Sequence, residues 1–269
     1  MTAAIERNTD IAAARHADLL AALLDHKHPP WRAGELPPLG HFLLFPPVAR
    51  QSRLGRDGHP ARDDGGLPRR MWAGSRTRFL APLPLGSTVV RETTVLSEAE
   101  KTGRTGRMLF VTLRHQLSVD GLACIVDEQD IVYREPGKNG APPPPGRQAV
   151  APPITRSVAV DPVQLFRFSA LTFNAHRIHY DLPYTVEVEG YPGLVVHGPY
   201  LATLLMDLFL RHHPEAWIDS FTFRAQRPIF AGDSFVLGLT PDATGGDLVI
   251  IDHAGGEAMR ARVDMKEAI

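Results

Sequence analysis

Residues 199–213 read PYLATLLMDLFLRHH. Leu201, Leu204, Leu205, Leu208 and Phe209 recur at helical spacing. Met206 and Leu210 widen the apolar surface, and only Thr203 and Asp207 leave a narrow polar strip. Pro199 suits a first helical position and Pro214 a stop. A helix apolar nearly all round must be buried. Strand-like runs that follow it, DLVIIDHA and AMRARVDM, can supply the cover. A curved antiparallel sheet around such a helix buries the apolar faces of both, which gives an α+β architecture.

The first half offers a similar series. MWAGSRTRFLAPLPLGSTVV, residues 71–90, pairs Trp72, Phe79 and Gly86 with Trp217, Phe223 and Gly232 at nearly equal spans. RMLFVTLRHQLSV and ACIVDEQDIVYR then follow as strands. The recurrence in the same order predicts duplication of one unit. Between the halves, REPGKNGAPPPPGRQAVAPP (134–153) holds the run Pro142–Pro145 and reads as a semi-extended linker. The divisions are residues 1–135, a linker over 136–153, and residues 154–269. Two further helices are expected, over 10–25 with Asp10 as N-cap and from DPVQLFRFSALT with Asp161 as cap.

Charges nearly balance, 29 basic against 30 acidic, so the whole chain gives no argument for nucleic acid or an anionic membrane as partner. The single cysteine, Cys124, excludes an intrachain disulfide and reads as a small buried hydrophobe. No stretch approaches the roughly 18 apolar residues of a membrane span, and acidic residues interrupt the N-terminal apolar pattern. A cytoplasmic protein is the expectation, with a homodimer left open.

Residues 173–181, FNAHRIHYD, are rich in chemistry. His176, His179 and Asp181, with His197 as a remote ligand, could bind zinc, but no clear helical face would hold them; the reading adopted is no metal. Together with HGPYLATLL, this run resembles the MaoC-like enoyl-thioester hydratases and dehydratases of the hot-dog fold. His179 falls on the family histidine, Asp181 on its second acid, and His197-Gly198 on the His-Gly that opens the central helix. Two units in one chain resemble the double hot-dog branch, with two curved antiparallel sheets each wrapping a central helix. Within that branch, GHFLLFPPVARQSRLGRDGHP and PRRMWAGSRTRF look most like mesaconyl-C4-CoA hydratases and fungal-type 3-hydroxyacyl-thioester dehydratases. One departure stands out. Asn174 occupies the slot of the family's catalytic aspartate, and Asn has no titratable proton.

The resemblance implies addition of water to, or its removal from, a CoA or acyl-carrier thioester, with no cofactor beyond CoA as part of the substrate. That chemistry needs a base toward water, an acid for the α-carbon and a donor for the thioester oxygen. His179 is the expected base and Asn174 the group fixing the water. Gly198 N–H at a helix N-terminus is the expected donor. A second ionisable group would be His176 or Asp181, unless His179 returns its own proton. Arg69, Arg70 and Arg78 are candidates for the phosphates of CoA, Arg177 and Arg224 for an acyl carboxylate, and His197 for the substrate site, where it would orient the helix start. An acyl-CoA thioesterase and a non-catalytic acyl-thioester binder are the alternatives.

Overall fold

The helix expected over 10–25 forms over Ala14–Leu23, and a strand, Glu6–Ile11, precedes it. The computed structural model describes residues 6–61, 65–103, 106–135 and 147–266. In chain order its elements are β1 (Glu6–Ile11), α1 (Ala14–Leu23), β2 (Arg69–Phe79), β3 (Thr88–Gly103), β4 (Gly106–Val119) and β5 (Leu122–Arg134). Then come β6 (Ile154–Ala159), α2 (Pro162–Thr172), α3 (Leu182–Glu187), α4 (Gly198–His212), β7 (Ile218–Ala225), β8 (Ser234–Asp242), β9 (Gly245–Ile251) and β10 (Glu257–Met265). Asp10 lies in β1 opposite Val89. Its carboxylate accepts from the backbone N–H groups of Ile11 and Phe45, so it is not the expected N-cap. Asp161 is a cap as expected: it accepts from Gln164 N–H while the Gln164 side chain reaches back, with Pro162 behind it. The Pro142–Pro145 run lies outside the described residues.

All strand pairings are antiparallel and form one sheet in the order β1-β3-β4-β5-β2-β7-β10-β9-β8-β6. Each half contributes five strands wound the same way, and β2 pairs with β7 at the seam. Arg76 faces Thr222 there. These two are 146 residues apart, and so are Gly86 and Gly232, which take positive φ in matching turns before β3 and β8. That spacing supports duplication but moves two anchors: the counterpart of Phe79 is Ala225, and that of Trp72 is Ile218. Leu36 N–H bonds to Leu83 O in one half, as Val196 N–H bonds to Ile229 O in the other.

The halves diverge just after those bonds. In the second, α4 follows, and Tyr200 through Leu210 are all buried. Phe221, Phe223, Leu237, Leu248 and Ile250 close over it from the sheet. In the first, the slot holds one 3-10 turn, Gly40–Leu43, so among the described residues only the second half wraps a long central helix. The polar strip of α4 is buried as well. Asp207 pairs with His26, Arg156 and Arg211. Among the described residues no helix is long and apolar enough to cross a membrane.

Candidate active site

Helix α2 ends at Phe173 in the left-handed conformation, which turns the chain sharply into the histidine loop. Asn174 N–H donates to Ser169 O at 2.8 Å, and Asn174 Oδ1 accepts from His176 N–H at 2.9 Å. A single 3-10 turn, Arg177–His179, then presents His179 beside the start of α4. The His179 Nδ1–H donates to Val195 O at 2.7 Å, which fixes the tautomer and leaves Nε2 with a lone pair. The His197 ring stacks on it at 3.6 Å between centroids. His197 shares a 2.8 Å hydrogen bond through Nε2 with Ser169 Oγ.

Burial sets the charge of this cluster. Desolvation lowers His179 to about 4, against the raising effect of its Val195 bond, and His59 lowers it further. Desolvation, with His59 and His179 nearby, takes His176 down to about 2. His197 is held well below its ordinary value by burial and its histidine neighbours. All three are neutral at pH 7, so His179 can accept a proton. His197 precedes α4, whose Gly198 N–H is among the orphan donors of a helix start. Pro199 has no N–H, so Tyr200 is the next donor. The backbone of Trp72, at the start of β2, runs beside Gly198. The site therefore lies where the two halves meet.

A third segment enters from far away in sequence. Arg177 N–H donates to Asp57 O at 2.8 Å and Arg177 Nη1 to Arg56 O at 3.0 Å, docking residues 55–60 (GRDGHP) onto the histidine loop. Gly58, at φ +92°, makes the approach possible: a Cβ there would sit 1.9 Å from Ala175 O. His59 then lies 4.2 Å from His176, ring to ring, and His176 lies 5.4 Å from His179. Side-chain ligand atoms of Asp57, His59 and His176 gather within 4.8 Å of one another. Asp57 already accepts from the His59 ring at 3.0 Å and from its backbone N–H at 3.1 Å. We read the group as a hydrogen-bonded Asp–His pair beside a second imidazole rather than as metal ligands.

A family model of hydroxyacyl-thioester dehydratases type 2 matches residues 38–231. The chain belongs to the hydroxyacyl-thioester dehydratase type 2 family. It is 46% identical over 266 residues to the mesaconyl-C4-CoA hydratase of Chloroflexus aurantiacus, covering 95% of this chain and 93% of that one. In structure it is similar to HtdX of Mycobacterium tuberculosis, with TM-score 0.68 and 17% identity over 97% of this chain and all of the other. A second M. tuberculosis protein, described as a double hot-dog, matches with TM-score 0.57 and 14% identity over 98% of this chain and 96% of that one. The fold is the α+β double hot-dog.

Within this family member the expected site residues separate into two groups. His176, His179, His197, Gly198 and Asn174 come together. Arg70 lies along the same small cavity as His176 and adds a positive field to it. Asp181 does not join them. Its carboxylate caps α3 by accepting from Tyr184 N–H and binds the Arg177 guanidinium at 2.7 Å. Arg177, packed over the Tyr184 ring, is thereby occupied. Arg69 is tied to Glu189. Arg78 is exposed, on the β2 face opposite the buried Ser75 and Thr77. Arg224 is likewise exposed on β7. Strand alternation decides both: odd positions of β2 face inward near the seam, and even ones face out. Asp57 and His59 were the residues missed. Their signal was an Asp-Gly-His step between Gly55 and Pro60, a tight turn presenting two polar side chains.

Proposed function

We propose that His179 is the base that activates water for addition to an α,β-unsaturated acyl-CoA, with the thioester oxygen held at the start of α4. The chain is a hydratase/dehydratase acting on a CoA thioester. The observation that carries the assignment of roles is the Val195 bond, which commits Nδ1–H and leaves a neutral Nε2 lone pair. Gly198 N–H supplies the fixed dipole for charge developing on the thioester oxygen. Asn174 Oδ1 is spent on His176 N–H, so its amide N–H₂ is the part left to hold the water. No cofactor is invoked, because imidazoles and backbone dipoles carry the proton and charge movements.

For the acyl group we favour a branched C5 dicarboxylate such as mesaconyl, the acyl group in the name of the 46% identical relative. A second carboxylate needs a cation. Arg70, which lines the small cavity beside His176, fits better than Arg177, which is paired with Asp181, or Arg224, which is exposed on β7. The thioesterase reading loses its carboxylate: Asp207 is buried and paired with His26, Arg156 and Arg211, beyond the first turn of α4.

Mesaconyl-C4-CoA, itaconyl-CoA, crotonyl-CoA and a long-chain enoyl-CoA, each followed by enoyl absorbance with free thiol monitored in parallel, test this reading. Mesaconyl-C4-CoA should be consumed fastest with no thiol released. Thiol release from saturated acyl-CoA would establish the thioesterase instead. Tight binding with no turnover would establish the binder.

A further inference from the structure

We propose that the Asp57–His59 pair, delivered by the first half of the chain, is the second acid/base of the reaction and exchanges the proton at the α-carbon. The inference rests on the hydratase reading and supplies the group that Asn174 cannot.

Three observations converge. First, the histidine loop holds no free carboxylate: Asp181 is committed to Arg177 and to the α3 cap, and Asn174 cannot ionise. Second, residues 55–60 are built into the site. Two backbone contacts from Arg177 and the Cβ-free approach of Gly58 to Ala175 hold them there. Third, Asp57 binds His59 Nδ1 at 3.0 Å, so the ring is oriented with Nε2 bonded to nothing among the described residues. Burial alone would raise Asp57, but its bond to His59 and the charge of that ring win and hold it at about 2. An ionised Asp57 stabilises a His59 imidazolium, as an acid for carbon requires.

In the hydration direction His179 Nε2 takes a proton from water while the new O–Cβ bond forms. The Cα=Cβ π pair moves to the α-carbon and thioester oxygen, where Gly198 N–H meets the charge. His59 Nε2–H then protonates the α-carbon, so the N–H bond breaks as the C–H bond forms. His179 is left protonated and His59 neutral. The proton passes back through His176, which lies between the two rings and is too deeply buried to keep it. No oxidant, reductant or metal enters. Dehydration runs the same steps backwards.

The experiment compares wild type, His179→Gln, His59→Gln and Asp57→Asn on whichever panel substrate the wild type hydrates, with thermal melting as a control. His59→Gln should lower kcat by about 100-fold with KM within about threefold. Asp57→Asn, which keeps the ring but not its orientation or charge partner, should lower kcat by about tenfold with KM likewise unchanged. His59→Gln with kcat within about threefold of wild type would overturn the inference. So would a rise in KM alone, which marks a binding role. Loss of wild-type activity on chelation, restored by zinc, would assign the three residues to a metal instead. Should His59→Gln fail to fold, the kcat of Asp57→Asn decides the matter by the same criterion. If His179→Gln is inactive while both first-half variants match wild type, only this inference fails. If wild type hydrates nothing in the panel, the underlying hydratase reading fails.

Discussion

Across the seam of the sheet, Ser75 and Thr77 on β2 sit opposite Phe223 and Phe221 on β7, and all four are buried. The second half meets α4 with aromatic rings. Among the described residues the first half has no such helix, and it meets its interior with a polar network. Asp127, fully buried, accepts from Ser75 Oγ, from Thr77 Oγ1 at 2.9 Å and from Gln129 Nε2 at 2.7 Å. His41 Nε2 approaches it to 3.5 Å. Burial opposes the charge on Asp127, but His41, Ser75 and Gln129 together hold its pKa below the ordinary value. One unit kept the helix and with it a helix N-terminus for chemistry. The other has in that place a turn and a satisfied carboxylate. The first half instead places β2 beside the start of α4 and residues 55–60 against the histidine loop.

The contrast can be broken in steps. The largest effect is on the acid side of the pH profile. The lowered pKa of His179 means its base form survives well below neutral pH and is lost as pH falls through about 4. Initial hydration rates should therefore fall roughly tenfold for each pH unit below that point. A limb centred near the ordinary histidine value would show that the ring is solvated. Next, Leu205→Ala removes a fully buried side chain from α4 and should cost about 3 kcal/mol by chemical denaturation. Asp127→Ala strands the donors of the first-half network and should cost about 2–3 kcal/mol, with kcat little changed. A neutral result at Asp127 would mean that this network is not a substitute core. Smallest, Asp181→Ala should lower the melting temperature slightly through loss of the α3 cap while keeping kcat within a few-fold. A large loss of kcat would return Asp181 to the chemistry.

Much of this was legible in the residues. Helix α4 declared itself by its apolar faces, and α2 by Asp161-Pro162. Duplication could be read from the order of turns and strands. Its register could not, because Trp and Phe recur for packing reasons that differ between the halves, whereas Gly86 and Gly232 recur for a positive φ that their turns demand. Asp10 misled because a residue that caps helices also bonds turn N–H groups at a strand end. The histidine loop and helix start were legible because they are close in sequence. His59 was not, since its neighbour His176 lies more than a hundred residues on and only the docked loop brings them together. The arginines resisted for the opposite reason: residues adjacent in sequence, such as Arg76 and Thr77, point to opposite faces of the sheet.

The central claim is that one buried imidazole at the start of α4 activates the water. Steady-state hydration of mesaconyl-C4-CoA by wild type and by His179→Gln, at pH 7 and with melting curves in hand, tests it most directly. The account predicts a loss in kcat of about 1,000-fold in a variant that melts like wild type. A folded His179→Gln protein with kcat within tenfold of wild type would contradict it.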